Sequence, residues 1–376
     1  MALFKIHDDK QIVFSENNSV LFDEFILYNQ FPCLAAYNTP EYSKITSPSI
    51  VSLFCGAGGM DIGFTNAGFK IAFAADFSSA SINTHNHNSI TKVAHCLNLL
   101  EIKPDQLVNK ISASIIDDQL PRGIIGGPPC QGFSFANTQR SNADPRNQLA
   151  IKYAEIVNKM AHSYPIEFFV FENVPGIKSE ENKDFLTLLK RKLTRNFALY
   201  TTELNAADFG VPQNRKRFFM VGIRRKADIK HVFTFPAGVF LQHKTVRSAI
   251  ENLPEPQYFK HGLTPEKIPF HPNHWTMQPR SVRFREEYKP VVGARSFIKL
   301  GWDKPSRTVA YGHREIHIHP NGHRRLSIYE AMRLQGFPLE YQLTGTLSEQ
   351  VTQISNAVPP PVAESIAKSL RTLLSI

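Results

Sequence analysis

A single cysteine sits in Gly126-Gly127-Pro128-Pro129-Cys130-Gln131-Gly132-Phe133-Ser134, with Gly-Gly and Pro-Pro before it and Gln-Gly after it. Proline fixes φ and glycine accepts conformations that other residues avoid, so this backbone is set rather than adjustable. Ile124 and Ile125 run into the loop like the end of a buried strand. A thiol held there is placed as a nucleophile would be; a tight turn around a small buried residue is the competing reading. Glu172 ends a second apolar run, in Phe171-Glu172-Asn173-Val174-Pro175. A thiol and a carboxylic acid facing one pocket suit covalent addition with protonation of the substrate. Taken alone, Glu172 also reads as an acid favoured at a helix N-terminus. In Gln213-Asn214-Arg215-Lys216-Arg217, an extended chain points Arg215 and Arg217 to one side. Two guanidinium forks aimed together suit phosphate or base-edge recognition. Upstream, Phe54-Cys55-Gly56-Ala57-Gly58-Gly59 is a glycine turn where backbone could approach a ligand closely. Asp76 follows about 20 residues later, placed to accept hydrogen bonds from ribose hydroxyls. Turn and acid together suggest an adenosine-containing cofactor without saying which.

The elements that must hold these residues follow a repeating strand-then-helix pattern from Ser49 onward. Apolar runs at Ser49–Phe54, Phe69–Ala75, Gly123–Ile125, Glu167–Phe171 and Phe218–Ile223 predict strands. Amphipathic segments at Met60–Ala67, Gln148–His162, Phe185–Thr194, Ser327–Leu334 and Pro361–Leu374 predict helices. Such alternation implies an α/β fold with a mostly parallel sheet covered on both faces. Ligands bind at the carboxyl ends of strands in such sheets, where Cys130 and Glu172 both fall. Four segments are expected: an N-terminal extension over residues 1–48 that packs on the main domain, a catalytic and cofactor-binding domain over 49–226, a loop-rich domain over 227–305, and a return to the catalytic domain over 306–376. The 227–305 segment is rich in Pro, His, Arg and aromatics, including Trp275 and Trp302, with little periodicity.

Composition narrows the partners. The 376 residues are 42% hydrophobic and 20% charged, which fits a soluble globular protein. No run of about 18 apolar residues occurs, so no transmembrane helix is expected. The N-terminus lacks a signal-peptide core, which favours the cytoplasm. Cys33, Cys55, Cys96 and Cys130 are far apart and form no CxxC pair, which suggests neither a zinc site nor a disulfide framework. The net charge of +10 is uneven: residues 211–330 hold 22 Lys and Arg against 9 Asp and Glu, a surplus of 13, leaving the rest at −3. That is the electrostatic footprint expected for a polyanion such as nucleic acid. His313, His317, His319 and His323 alternate as strand residues would; a DNA-facing or satisfied polar surface explains them better than a metal site.

Taken in order, Phe54-x-Gly56-x-Gly58, Pro128-Pro129-Cys130-Gln131, Glu172-Asn173-Val174, Gln213-x-Arg215-x-Arg217 and Gln353-x-x-Asn356-Ala357-Val358-Pro359 resemble the motifs of the DNA cytosine-5 methyltransferase family. Asp144-Pro145-Arg146-Asn147 and Arg333-Leu334-Gln335-Gly336-Phe337-Pro338 resemble further family segments. The resemblance spans about residues 50–370 and implies a Rossmann-like S-adenosylmethionine-dependent methyltransferase fold with a smaller target recognition domain over 227–305. It implies that Cys130 attacks C6 of a cytosine flipped out of duplex DNA. Glu172 would hold and protonate N3, Arg217 would bind O2, and Arg215 would support the loop or a phosphate. The activated C5 would take the methyl of S-adenosylmethionine, and loss of the C5 proton with elimination of Cys130 would restore the ring. The cofactor's sugar and base would meet Asp76, Phe77 and Phe54, its carboxylate end the Gly56–Gly59 turn, with Pro128 and Asn356 completing the pocket. Two positions depart from the pattern: Ser52 stands where the family often has Asp, and Ser355 where it usually has Gly. Asn98 and Asp118 are both candidates for an expected acidic position. The resemblance further implies a restriction-modification role, with a cognate endonuclease acting on the same site without a stable complex, and a monomer with no membrane association. The rivals are a tRNA cytosine-5 methyltransferase of the same fold, a binding module without chemistry, and a nicotinamide-dependent oxidoreductase. The last leaves Cys130 and the Arg pair without a role.

Overall fold

Strand residues that alternate between two cores organise the sheet. In the computed structural model, which describes residues 47–115, 119–129, 147–225, 232–238, 242–279, 284, 298–308 and 317–375, seven strands form one sheet. They are β1 (Ser49–Leu53), β2 (Lys70–Asp76), β3 (Ala94–Cys96), β4 (Gly123–Gly126), β5 (Phe168–Asn173), β6 (Phe197–Asn205) and, after a two-residue β7 (Gln213–Asn214), β8 (Lys216–Arg224). The order is β3-β2-β1-β4-β5-β8-β6. β8 runs antiparallel to both its neighbours, and the other six strands share one direction. The fold class is therefore α/β with a mixed, mostly parallel sheet, as the alternation implied. In β5, Phe169 and Phe171 enter one core while Phe168 and Val170 enter the other, and in β8 Phe218 and Met220 oppose Phe219 and Val221 in the same way. This period of two is what a strand buried on both faces requires.

Helices α3 (Pro104–Ser114), α4 (Asn147–Ser163) and α5 (Lys183–Thr194) contribute to the first core. Helices α1 (Gly59–Asn66) and α9 (Pro360–Leu374) contribute to the second, while α2 (Ser79–His87) follows β2. The α1–α9 approach depends on glycine: a Cβ at Gly63 would lie 2.5 Å from both Glu364 N and Pro360 O, and one at Gly59 would lie 2.4 Å from Val358 O. A third core gathers α6 (Val246–Ile250), α7 (Ile328–Leu334) and α8 (Leu347–Asn356).

The chain from Pro48 onward forms one compact unit. The expected extension 1–48 lies outside the described residues except at its last two. After β8 the chain returns along β6: Phe233 meets the Tyr200 ring at 5.7 Å, and a Cβ on Gly238 would lie 2.7 Å from Asp208 Cβ. His243 Nε2 sits 2.9 Å from Asp208 Oδ1. Further on, β9 (Gln257–Tyr258) and β10 (Trp275–Thr276) pair with each other. β11 (Ser306–Arg307) pairs with β7, and Ser306 N–H donates to Pro212 O at 2.9 Å. The described part of 227–305 also packs on the C-terminal elements. Asn273 Nδ2 donates to Leu343 O at 2.8 Å, and His274 Nδ1 lies 2.9 Å from Ser327 Oγ.

Two of the four alternating histidines, His317 and His319, are buried rather than on the surface. His317 and His319 flank Ile318, which bridges to Lys299 and Arg325, and both are buried; His323 is exposed, and His313 lies outside the described residues. His319 meets the Trp302 ring edge-on at 5.2 Å. Burial lowers the His317 imidazole to about 4. Packing against Trp302, which joins the third core, accounts for the burial of His319. Among the described residues no three His, Cys, Asp or Glu side chains group as metal ligands would.

Candidate active site

One cavity of about 1370 Å³ lies at the carboxyl ends of β1, β2, β4 and β5. Phe54, Gly56, Gly59, Asp76, Phe77, Pro128, Glu172, Arg215, Arg217 and Asn356 all line it. Cys130 lies outside the described residues, and the chain is followed to Pro129, at the cavity wall. Gly58 is the exception among the predicted cofactor residues. It packs behind the turn, where an added Cβ would lie 3.0 Å from Tyr341 Oη and 3.1 Å from the His85 ring.

The glycine turn is built from left-handed backbone. Gly56 has φ 53° and Gly58 φ 80°, and even Phe54 has φ 54°, a conformation that costs a bulky residue energy and persists only where its surroundings impose it. A Cβ on Gly56 would stand in open space, so the turn shows bare backbone to the cavity. Asp76 fastens it: Oδ2 accepts from Gly56 N–H at 3.0 Å and Oδ1 from Ser78 N–H at 2.8 Å. Burial holds this carboxyl above its ordinary value, against the lowering effect of those N–H donors. Phe77, next along, is 75% exposed, an aromatic face with no cover at the cavity wall. Asn98 also lines the cavity, with Oδ1 accepting from Leu100 N–H at 3.1 Å, whereas Asp118 lies outside the described residues.

The other end of the cavity is set by β5 and the reversed β8. Their register pairs Glu172 with Phe219 and Asn173 with Phe218, which brings Arg217 beside Glu172. Arg217 Nε lies 3.1 Å from Glu172 Oε1. Burial nevertheless raises the Glu172 carboxyl above its usual range, with the Arg217 and Arg215 charges opposing. A Cβ at Gly127 would come within 2.9 Å of Glu172 Oε2, so only glycine leaves this carboxyl its place. Asn173 Nδ2 donates to Pro128 O at 3.2 Å and ties the Pro-Pro segment to the same strand end.

Arg215 differs from its partner. It is 1% exposed, and its Nη2 donates to Ser355 O at 2.6 Å and Ala357 O at 3.0 Å. A phosphate at this Nη2 would have to compete with the two carbonyls. Gln335 Nε2 donates to the same Ala357 O at 2.7 Å, so two side chains clamp the end of α8 where Asn356 faces the cavity. Sequence reasoning passed over Asp61, a buried carboxylate at the wall. Ser52 Oγ donates to its Oδ1 at 2.7 Å, and His85 Nε2 lies 2.8 Å from its Oδ2. An acid in the first turn of a helix carries no signal of such a role, because the macrodipole alone explains it.

A family model for C-5 cytosine-specific DNA methylases matches residues 49–372. The chain belongs to this family. It is similar to the Type II methyltransferase M.MthTI of Methanothermobacter thermautotrophicus, 34% identical over 346 residues that cover 86% of this chain and 96% of that protein. M.FnuDI of Fusobacterium nucleatum is 30% identical, covering 87% and 95%. A DNA modification methyltransferase of an E. coli prophage superposes with a TM-score of 0.72 at 25% identity, over 88% of this methylase and all of that chain. The methylase acts as a DNA cytosine-C5 methyltransferase.

Proposed function

We propose that this methylase transfers the methyl group of S-adenosylmethionine to a cytosine flipped out of duplex DNA, through a covalent bond between Cys130 and C6. The observation that carries the proposal is the juxtaposition of Glu172 and Arg217 in the cavity that also holds the glycine turn. Glu172, kept protonated toward higher pH by burial, can donate to cytosine N3 and make C6 electrophilic. Arg217, beside it, can hold the neighbouring O2. The thiolate of Cys130 adds to C6 and leaves C5 nucleophilic; after methylation, loss of the C5 proton expels the thiolate.

The residues at the other end fit S-adenosylmethionine. Bare backbone at Gly56, the Asp76 carboxylate and the open face of Phe77 suit a nucleoside with an amino-acid tail. When bound, that cofactor supplies an electrophilic methyl. Asp76 then holds the turn and offers remaining lone pairs to ribose hydroxyls, while Asn356, clamped through Arg215 and Gln335, closes the wall. The base must leave the stack because a thiol does not reach C6 within it. We further propose that residues 227–305 read the target sequence. By extension from its Type II relatives, the methylase protects DNA from a cognate endonuclease, acting as a cytoplasmic monomer.

The test is transfer of a labelled methyl group to duplex DNA, with a tRNA transcript as comparison substrate. Cys130→Ser should abolish transfer, and 5-fluorocytosine in the target should trap wild type covalently. Full methylation by the Ser variant, or transfer to the tRNA alone, overturns the proposal. Sequencing 5-methylcytosine in genomic DNA with and without the protein would read out the target.

A further inference from the structure

Gly58 stands behind the cofactor turn, and what it faces there is a hydroxyl. A Cβ at this position would lie 3.0 Å from Tyr341 Oη, closer than most such contacts. The hydroxyl donates to Ala57 O at 2.6 Å, across 284 residues of chain. The next N–H, that of Gly58, donates to Cys55 O at 3.0 Å. The Ala57–Gly58 peptide is therefore held at both its polar ends, while Ala57 itself lines the cavity.

The ring of Tyr341 does not need that hydroxyl to pack. Tyr341 is 8% exposed, meets the Phe337 ring with centroids 5.3 Å apart, and joins the third core together with Ala57. A phenylalanine would fill the same space, and a buried hydroxyl must recover its lost hydration through a partner. The backbone that carries it is fastened by side chains from other elements. Asn88 Oδ1 accepts from Gln342 N–H at 2.9 Å, and Asn88 Nδ2 donates to Gln342 O at 2.7 Å. Asn273 brackets Leu343 in the same way, at 2.8 Å each. The hydroxyl thus arrives from a fixed position.

The turn has need of such a peg, because its own residues do not select one conformation. Glycine leaves the backbone wide freedom, and the left-handed φ of Phe54 persists only where its surroundings impose it. Asp76 fixes the Gly56 N–H, and Tyr341 fixes the carbonyl of the following residue. We infer that Tyr341 is a positioning residue for the cofactor-binding turn, and that Gly58 serves to admit its hydroxyl. The inference rests on the S-adenosylmethionine reading above. A turn that holds its binding conformation only part of the time binds more weakly by that fraction. The hydroxyl therefore acts on cofactor affinity and not on the chemical step.

Tyr341→Phe removes the hydroxyl and keeps the ring. Calorimetric binding of S-adenosylmethionine and of S-adenosylhomocysteine to the full chain should weaken about fivefold for both, the bias that one neutral hydrogen bond supplies. In methyl transfer the KM for S-adenosylmethionine should rise to match, with kcat and the KM for DNA within about twofold of wild type. Tyr164→Phe makes the same deletion at another buried tyrosine, which does not line the cavity and whose Oη donates to Val108 O at 3.1 Å. Its cofactor affinity should be that of wild type. Gly58→Ala should weaken binding in wild type, and by less in the Tyr341→Phe background, where no hydroxyl meets the added Cβ. The inference is overturned if Tyr341→Phe binds both ligands as wild type does, if Tyr164→Phe weakens them equally, or if kcat and the KM for DNA change as much as cofactor affinity. Additive effects of Gly58→Ala and Tyr341→Phe overturn the role given to Gly58. Should Tyr341→Phe not fold, Gly58→Ala still decides, since undiminished affinity there leaves the contact without function. If wild type binds neither ligand, the cofactor reading itself fails, and the inference with it.

Discussion

Glu172 is held between opposing influences, and the balance has a sign that can be measured. Burial raises its carboxyl more than Arg217 and Arg215 lower it. A folded-state value above the unfolded one means that the folded protein binds the proton more tightly. That stability is fully present below the ordinary carboxyl range and is lost as pH rises through the raised value. Glu172→Gln cannot ionise, so its melting temperature should gain on wild type by roughly 2 °C between pH 4.5 and pH 8, read by calorimetry. The same variant should lose at least about 100-fold in methyl transfer, having no proton to give to N3. A wild type that gains on the variant at high pH would show the arginines prevailing. Spacing alone foretold that Arg215 and Arg217 share a side. It could not foretell their different partners, because the carbonyls that claim Arg215 come from Ser355 and Ala357, far along the chain. Asp61 was illegible for a similar reason, since its donors meet it only in the folded sheet.

Among the elements, strands buried on both faces were legible because apolar runs such as Phe168–Phe171 admit few other readings. β6 was not. Its nine residues alternate partial exposure with polar side chains, as in Thr201, Thr202 and Glu203, and an edge strand needs no continuous apolar run. α8 was hidden too, for Leu347–Asn356 mixes Ser, Glu, Gln and Thr with few apolar residues. Nor does a strand's composition state its direction, so the reversal of β8 emerged only from its pairing. The α1–α9 contact offers a test at this scale. Gly63→Ala places a Cβ against backbone atoms of Glu364 and Pro360 that have no flexible end to move. Overpacking of this kind should cost about 1–3 kcal/mol in denaturant unfolding. An unchanged midpoint would show that the two helices slide apart freely.

At the scale of the whole molecule, the surplus of positive charge in residues 211–330 is the footprint expected of a DNA face, and it makes a prediction about salt. Affinity for duplex DNA, followed by fluorescence anisotropy, should fall steeply between about 50 and 200 mM salt, by roughly tenfold or more if even a few phosphates are neutralised. A flat profile would move the DNA face elsewhere. Composition made this surplus legible, but not where its chain is fastened. That chain is fastened at a neck. His243 rests on Asp208, and Ser306 binds Pro212, so the two flanks of the segment meet one five-residue stretch just before Arg215 and Arg217, while its middle packs on the C-terminal elements through Asn273 and His274. A loop with its ends pinned together can double in length for only about 0.6 kcal/mol. If this segment reads the target as proposed, recognition and chemistry are separate problems for natural variation: the segment can be redrawn while Arg217 beneath its neck stays in register with Glu172.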